Sequence, residues 1–258
     1  MSDLHLEGSQ YDYDIPRRAP YLVLAGDIGN AIRSQDIDRY EYFLGKLCAR
    51  FLAVFVVLGN NEPKGSAGAP DGWTKAVKEL RKMEAKSVME GRLHFLDNNH
   101  FNFAEYNVTI MGCTLWSRLR RDQPRAAGGD RASIKGWTME TNNANFERSY
   151  RWIKNTVPRV RGDAKHRIVV ITHHPPCFGT SEATHEQSDR WSGYKTDILG
   201  GEGVEGLRNG DVWIHGHTHF NADIMQDQVR VYSNQKGRRA EDNPTGSIPY
   251  HVEDVILV

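Results

Sequence analysis

Tyr21-Leu22-Val23-Leu24-Ala25-Gly26-Asp27 is a short apolar run that ends on a turn-forming Gly-Asp pair. An uninterrupted run of this length reads as a strand buried on both faces, and the pair after it places a carboxylate where the strand stops. The same grammar returns three times. Leu52-Ala53-Val54-Phe55-Val56-Val57-Leu58 leads into Gly59-Asn60-Asn61-Glu62, residues 168–172 lead into His173-His174, and residues 212–215 lead into Gly216-His217-Thr218-His219. Polar clusters therefore follow the carboxyl ends of apolar strands, where open α/β sheets bind ligands. The glycines at 26, 59 and 216 suit sharp turns at such an edge.

Between the strands, Ile37, Tyr40, Leu44, Leu47 and Phe51 recur at three- and four-residue steps and predict a helix. Trp73, Val77, Leu80 and Met83 predict a second helix after the Gly- and Pro-rich loop at 63–72, and a third is expected around 142–156. Further strands are expected at 92–96, 107–113, 211–215, 229–233 and 255–258. Polar stretches at 120–136, 179–210 and 236–247 read as loops. The middle one is long enough to be a substrate-facing lid. The expected class is α/β in one domain spanning 1–258.

Bulk composition narrows the function. The 33 basic residues balance 33 acidic ones, so no overall field draws the chain to nucleic acid or to an anionic membrane. Cys48, Cys113 and Cys177 are odd in number and in no CxxC spacing, which argues against a disulfide framework and a cysteine-built zinc site and suits a reducing, cytoplasmic setting. No apolar run reaches the length of a membrane span, and the opening MSDLHLEGSQ lacks the regions of a secretory signal. No G-x-S-x-G elbow is present, which argues against Ser-His-Asp hydrolysis.

A Gly-Asp after a strand is ordinarily only a turn, and Asp3 and His5 alone would be a solvated terminus. His217 and His219 carry more weight, because i,i+2 spacing puts both imidazoles on one face. Core packing does not explain five such clusters in register with strand ends. Together, Ser2-Asp3-Leu4-His5, Gly26-Asp27-Ile28-Gly29-Asn30, Gly59-Asn60-Asn61-Glu62, Thr172-His173-His174-Pro175-Pro176 and Gly216-His217-Thr218-His219 resemble the calcineurin-like metallophosphoesterase superfamily. Its signature runs D-x-H, G-D-x-x-D, G-N-H-D/E, H and G-H-x-H. The nearest resemblance is to uncharacterised fungal members with an S-D-L-H-L-E opening and a late N-Q-x-G segment, here Asn234-Gln235-Lys236-Gly237.

The resemblance implies a metallophosphoesterase-type sandwich of two mixed β-sheets flanked by helices. It implies that Asp3, His5, Asp27 and His219 hold one divalent metal and that Asp27, Asn60, His173 and His217 hold a second, with Asp27 bridging. Nitrogen and oxygen donors without thiolate suit Mn, Fe or Zn. Two cations roughly 3.5–4 Å apart clamp a phosphoryl group and activate water near neutral pH. The implied partner is a phosphorylated small molecule, with nucleotide-like compounds among the candidates. Asn61 and His174 are the candidate catalytic residues: Asn61 stands at the phosphate-contacting position, and His174 beside Pro175-Pro176 lines the pocket. His215 reads as core or as support for the ligands.

Two departures from the pattern stand out. The family usually carries His where this chain has Asn61, and an amide cannot shuttle a proton at neutral pH, so esters with poor leaving groups should suffer; His174 or His185 would be the substitutes. The family also has a strand before D-x-H, whereas Met1 and Ser2 alone precede Asp3. These departures motivate a second reading, a metal-binding scaffold with little catalysis. A third, a nuclease, would need a local basic stripe from Arg120, Arg121 and Arg125 or from Lys236, Arg238 and Arg239. Trp73, Trp116, Trp137 and Trp191 are candidates to stack a base, although loop aromatics more often pack on the core.

Overall fold

The computed structural model describes residues 1–258 except 8, 66–71, 124, 125, 127 and 239–245, together with the side chains of 128, 131 and 186. Two sheets face each other. In the smaller, β1 (Tyr21–Ala25), β2 (Ala53–Val57) and β3 (Leu93–Phe95) lie side by side and parallel. The larger contains β4 (Asn99–Phe103), β5 (Val108–Cys113), β6 (Arg167–Thr172), β7 (Val212–His215), β8 (Asp223–Gln226) and β9 (Val229–Ser233) in the order β4-β5-β6-β7-β9-β8. Its four central strands are parallel, and each edge strand is antiparallel to its neighbour.

Side-chain alternation explains the layering. Phe55, Val57, Ile110, Val169, Ile171 and Ile214 fill the space between the sheets, while Val54, Val56, Ile168 and Val170 point outward under the helices. Those helices are α1 (Ser34–Arg50), α2 (Gly72–Glu84) and the long α4 (Met139–Val160), which begins where the Thr138 hydroxyl accepts the Thr141 N–H at 3.1 Å. Among the described residues no helix is long and apolar enough to cross a membrane. The three cysteines are buried and form no disulfide among the described residues.

Several expectations need correction. Residues 255–258 form no strand; Val255, Leu257 and Val258 are exposed. Apolar composition alone suggested that strand, but an exposed apolar segment without a ladder partner stays irregular. Strand β4 went unread because only Phe101 and Phe103 mark its half-exposed edge. Strand β8 went unread because its hairpin turns on Asp227-Gln228, both with positive φ (47° and 66°), without the glycine that usually advertises such a turn. The stretch at 120–136 contains the short helix α3 (Gly128–Ser133), and 179–210 contains α5 (Ala183–Glu186) and a 3-10 turn at Trp191–Gly193. Most of the loops at 63–72 and 236–247 lies outside the described residues, as do Arg125 and Arg239. Trp73, Trp116 and Trp137 are buried against one another, with ring centroids 4.3–6.0 Å apart, and are core. Trp191 packs against Phe178 and Arg120.

Candidate metal centre

All five sequence clusters meet at one end of the sheets. Asp27 follows β1, Asn60 follows β2, His173 follows β6 and His217 follows β7, each at the carboxyl end of a parallel strand. Two glycines let them approach. A Cβ on Gly59 would sit 2.1 Å from Asp27 Oδ1, and one on Gly26, itself at φ +86°, would sit 2.5 Å from His173 Nδ1. Asp3 and His5 arrive without a preceding strand: Asp3 N–H donates to Gly26 O and His5 N–H to Asp27 O, both at 3.0 Å, so the segment is hydrogen-bonded along the end of β1. On its other side Ser2 N–H donates to Asn234 O and Lys236 N–H to Ser2 O, each at 3.1 Å, which joins the segment to the stretch after β9.

The donors form two groups that share Asp27. In the first, His5 Nε2 and His219 Nε2 are 3.1 Å apart, Asp3 Oδ1 lies 3.4 Å from His219 Nε2, and Asp27 Oδ2 lies 3.9 Å from His5 Nε2. In the second, Asn60 Oδ1 is 3.0 Å from both His173 Nε2 and His217 Nδ1, and Asp27 Oδ1 is 3.5 Å from His173 Nε2. Three of the imidazoles have their other nitrogen engaged by the protein: His5 Nδ1 by Glu7 at 3.2 Å, His173 Nδ1 by Ala25 O at 2.9 Å, and His217 Nε2 by Gly193 O at 3.1 Å. A carbonyl only accepts, so His173 and His217 carry a proton on the side facing it. That aims their lone pairs inward when the rings are neutral.

For His217 the ring is neutral, because burial pushes its pKa down to about 4. Asn60 cannot flip to meet it with a donor, since its Nδ2 donates to Asp130 Oδ1 at 2.8 Å. An acceptor nitrogen therefore faces an acceptor oxygen at 3.0 Å, a repulsive contact that only a cation between them relieves. Asp3 Oδ1 adds a second signal, being buried with no hydrogen-bond partner among the described residues while lying 4.0 Å from His5 Nε2 and 3.4 Å from His219 Nε2. Burial disfavours charge on Asp3 and Asp27, but the neighbouring imidazoles outweigh it and hold both below the usual carboxylate range. The donor chemistry fits divalent cations.

Backbone strain concentrates here. Asp3, His5, Asp27, His217 and His219 all have positive φ, between 48° and 78°, a conformation that costs a non-glycine residue about 1–2 kcal/mol. Such outliers persist where surrounding hydrogen bonds over-determine them.

Asn61 lies against Asp27. Its N–H donates to Asp27 Oδ1 at 2.8 Å and its Nδ2 contacts Asp27 Oδ2. His174 sits behind the second group: Nδ1 meets Ser117 Oγ at 2.8 Å, the ring centroid is 3.9 Å from that of His217, and Nε2 has no partner among the described residues. Although His174 clusters with His173 and His217, Asn60 Oδ1 is the atom that touches both rings, and it closes the group. His215 is buried, with Nδ1 against Gly216 O. His185 stacks on Tyr194 at 4.3 Å.

Four further residues support the site, Glu62, Asp130, Lys64 and Arg238. Buried Glu62 accepts the N–H groups of Asp27, Ile28 and Gly59 at 2.8–3.1 Å and ties two ligand turns together; its three-residue spacing from Gly59 was the available hint. Asp130, on the short helix α3, and Lys64 and Arg238, on loops, reach the site from segments that show no sequence periodicity.

Residues 1–221 match the family described as calcineurin-like phosphoesterase. The whole chain aligns over 296 positions with 97% of Uncharacterized protein L509 of Acanthamoeba polyphaga mimivirus, at 22% identity. Among solved structures, the phosphopantetheinyl hydrolase PptH from Mycobacterium tuberculosis superposes with a TM-score of 0.61 at 17% identity, covering 92% of this chain and 88% of that one. That likeness supports the two-sheet fold.

Proposed function

The chain belongs to the calcineurin-like phosphoesterase family, and from that premise we propose that it is a dinuclear-metal-dependent hydrolase of a small-molecule phosphomonoester or phosphodiester. The observation that carries the reading is the acceptor-to-acceptor contact of Asn60 Oδ1 with neutral His217 Nδ1 at 3.0 Å. Asp3, His5, Asp27 and His219 hold one Mn, Fe or Zn ion, and Asp27, Asn60, His173 and His217 hold the other. When bound, the ions polarise the phosphoryl oxygens and lower the pKa of an attacking water.

The side chains supply the rest. Asp27 presents one oxygen to each group. Asn61 Nδ2, beside Asp27, donates to a phosphoryl oxygen, and because an amide has no proton to give up near pH 7, leaving-group protonation falls to solvent. His174 lines the wall behind His217. The substrate class includes nucleotide-like compounds, residues 1–258 act as one domain, and a reducing cytoplasm is the fitting compartment. Purified protein with Mn²⁺ should hydrolyse p-nitrophenyl phosphate or its bis ester, and Asp27→Asn should abolish this. Absence of metal-dependent turnover across a phosphate-ester panel would end the reading.

A metal-binding scaffold is the alternative that Asn61 favours. Asn61→His separates the two: full activity with Asn61 rejects the scaffold, whereas a gain of about 10²–10⁴-fold on poor leaving groups marks a decayed or specialised site.

A further inference from the structure

A cavity of about 570 Å³ opens beside the ligand cluster, with His5 and Asn61 on its inner wall and Arg33, Lys64 and Arg238 around it. Glu7 is the one carboxylate among the described lining residues. Two of the cations converge on a single atom: Lys64 Nζ donates to Asn61 Oδ1 at 2.9 Å and Arg238 Nη2 donates to the same oxygen at 3.1 Å. A neutral amide oxygen gives two positive charges a meeting point without neutralising them.

Their carboxylate neighbours named among the described residues, Asp130 and Glu7, are shared with the candidate ligands. Asp130 Oδ1, 3.0 Å from Lys64 Nζ, also accepts from Asn60 Nδ2, and Glu7 Oε1, 3.6 Å from Arg238 Nη2, also faces His5 Nδ1. The Arg33 guanidinium makes no ion pair among the described residues. The arrangement is held in advance: Asn30 Nδ2 donates to Asn61 O at 3.2 Å and to Lys64 O at 2.7 Å, while Lys64 N–H donates to Asn61 O at 3.0 Å. A turn fixed at both ends keeps its lysine aimed at the mouth with little entropy left to lose on binding.

We propose that Lys64, Arg238 and Arg33 bind a second phosphate group of the substrate, so that the preferred substrates are phosphoesters carrying two phosphates, such as a bisphosphate or a diphosphate-linked compound. The first phosphate is the one the hydrolase reading places on the metals, and the proposal rests on that reading for the order of the two. A phosphate offers three acceptor oxygens, which suits a forked guanidinium beside a point-charge ammonium. Positive charge at this mouth comes from loops and not from the net charge of zero, which is why composition did not show it.

The test is calorimetric titration of the full-length, Mn²⁺-loaded protein with methylenebisphosphonate and with methylphosphonate, neither of which can be hydrolysed as an ester. The bisphosphonate should bind at least about tenfold more tightly, and R238Q should remove about tenfold of that advantage, as loss of a hydrogen bond between charged groups does. R33Q should remove less. Arg238 is 53% exposed, so its replacement leaves the fold intact. Equal binding of the two probes, or an advantage unchanged in the R33Q/R238Q double variant, overturns the proposal. In parallel, kcat/KM is compared for a nucleoside 3′,5′-bisphosphate and its 5′-monophosphate. Turnover without a bisphosphate preference sinks the clamp and spares the hydrolase. A bisphosphonate preference that depends on Arg238, in a protein that turns over no ester, sinks the hydrolase and spares the clamp.

Discussion

Asn60, His173 and His217 grow from the ends of parallel strands packed on both faces, whereas Asp3, His5 and His219 are carried by a hydrogen-bonded segment and a turn beside an open cavity. The two halves differ in how they are held. Asn60 and His173 are buried with ordinary backbone, and His217 alone of the inner three has positive φ, while the His219 side chain is 25% exposed and all three outer residues have positive φ. The inner half is positioned by the core; the outer half depends on local hydrogen bonds, to Gly26 O, to Asp27 O and from His219 N–H to Gln235 Oε1 at 2.7 Å. On the proposed two-metal reading the outer ion should therefore be the labile one, and Asp27, common to both groups, should be the residue neither half can lose.

Asp27→Asn gives the largest expected effect. Both metal equivalents should be lost, with affinity falling further than the roughly 10–100-fold that removal of an outer hydrogen bond costs; metal analysis after gel filtration reads this directly. Retention of both ions would break the shared-ligand geometry. Next, Asp3→Asn should remove one equivalent, and graded chelation of the parent protein should proceed in two phases with the outer ion leaving first. A single phase would show that the halves are not independent.

Glu62 joins the Asp27 turn to the Gly59-Asn60 turn through three backbone N–H groups, so Glu62→Gln, which turns an N–H₂ toward those donors, should lower stability by about 1–3 kcal/mol in urea denaturation. No change would mean that the ligand turns hold themselves. The smallest effect concerns His215, buried behind the outer half, whose pKa burial pushes down to about 4. As pH falls from 6.5 toward 4 the unfolded chain takes up a proton that the folded one refuses, so stability drops across that window. His215→Gln should flatten the slope of stability against pH there by up to about one proton. Parallel slopes for the two proteins would rule out a buried neutral imidazole.

Much of this was readable from local pattern. The uninterrupted apolar runs at β1, β2, β6 and β7 marked strands buried on both faces, and the polar residues at their ends marked the site, because a parallel strand's carboxyl end is a geometric consequence of its direction. Asp3 and His5 needed the family resemblance, since nothing local distinguishes them from a frayed terminus. Strands β4 and β8 escaped because edge strands bury one face or less, and the 255–258 segment misled because apolar composition does not supply a ladder partner.

The strand-end placement of Asp27, Asn60, His173 and His217 was thus set by sequence alone, through periodicities that depend only on the neighbouring few residues. Tertiary structure decided which nitrogen of each imidazole faces inward, that Asn60 is locked by Asp130, and that Lys64 and Arg238 meet on Asn61 Oδ1. Apart from the three-residue step from Asn61 to Lys64, those facts are contacts between residues tens to hundreds of positions apart, and hydrogen-bond direction, unlike hydrophobic periodicity, has no trace along the chain until the chain is folded.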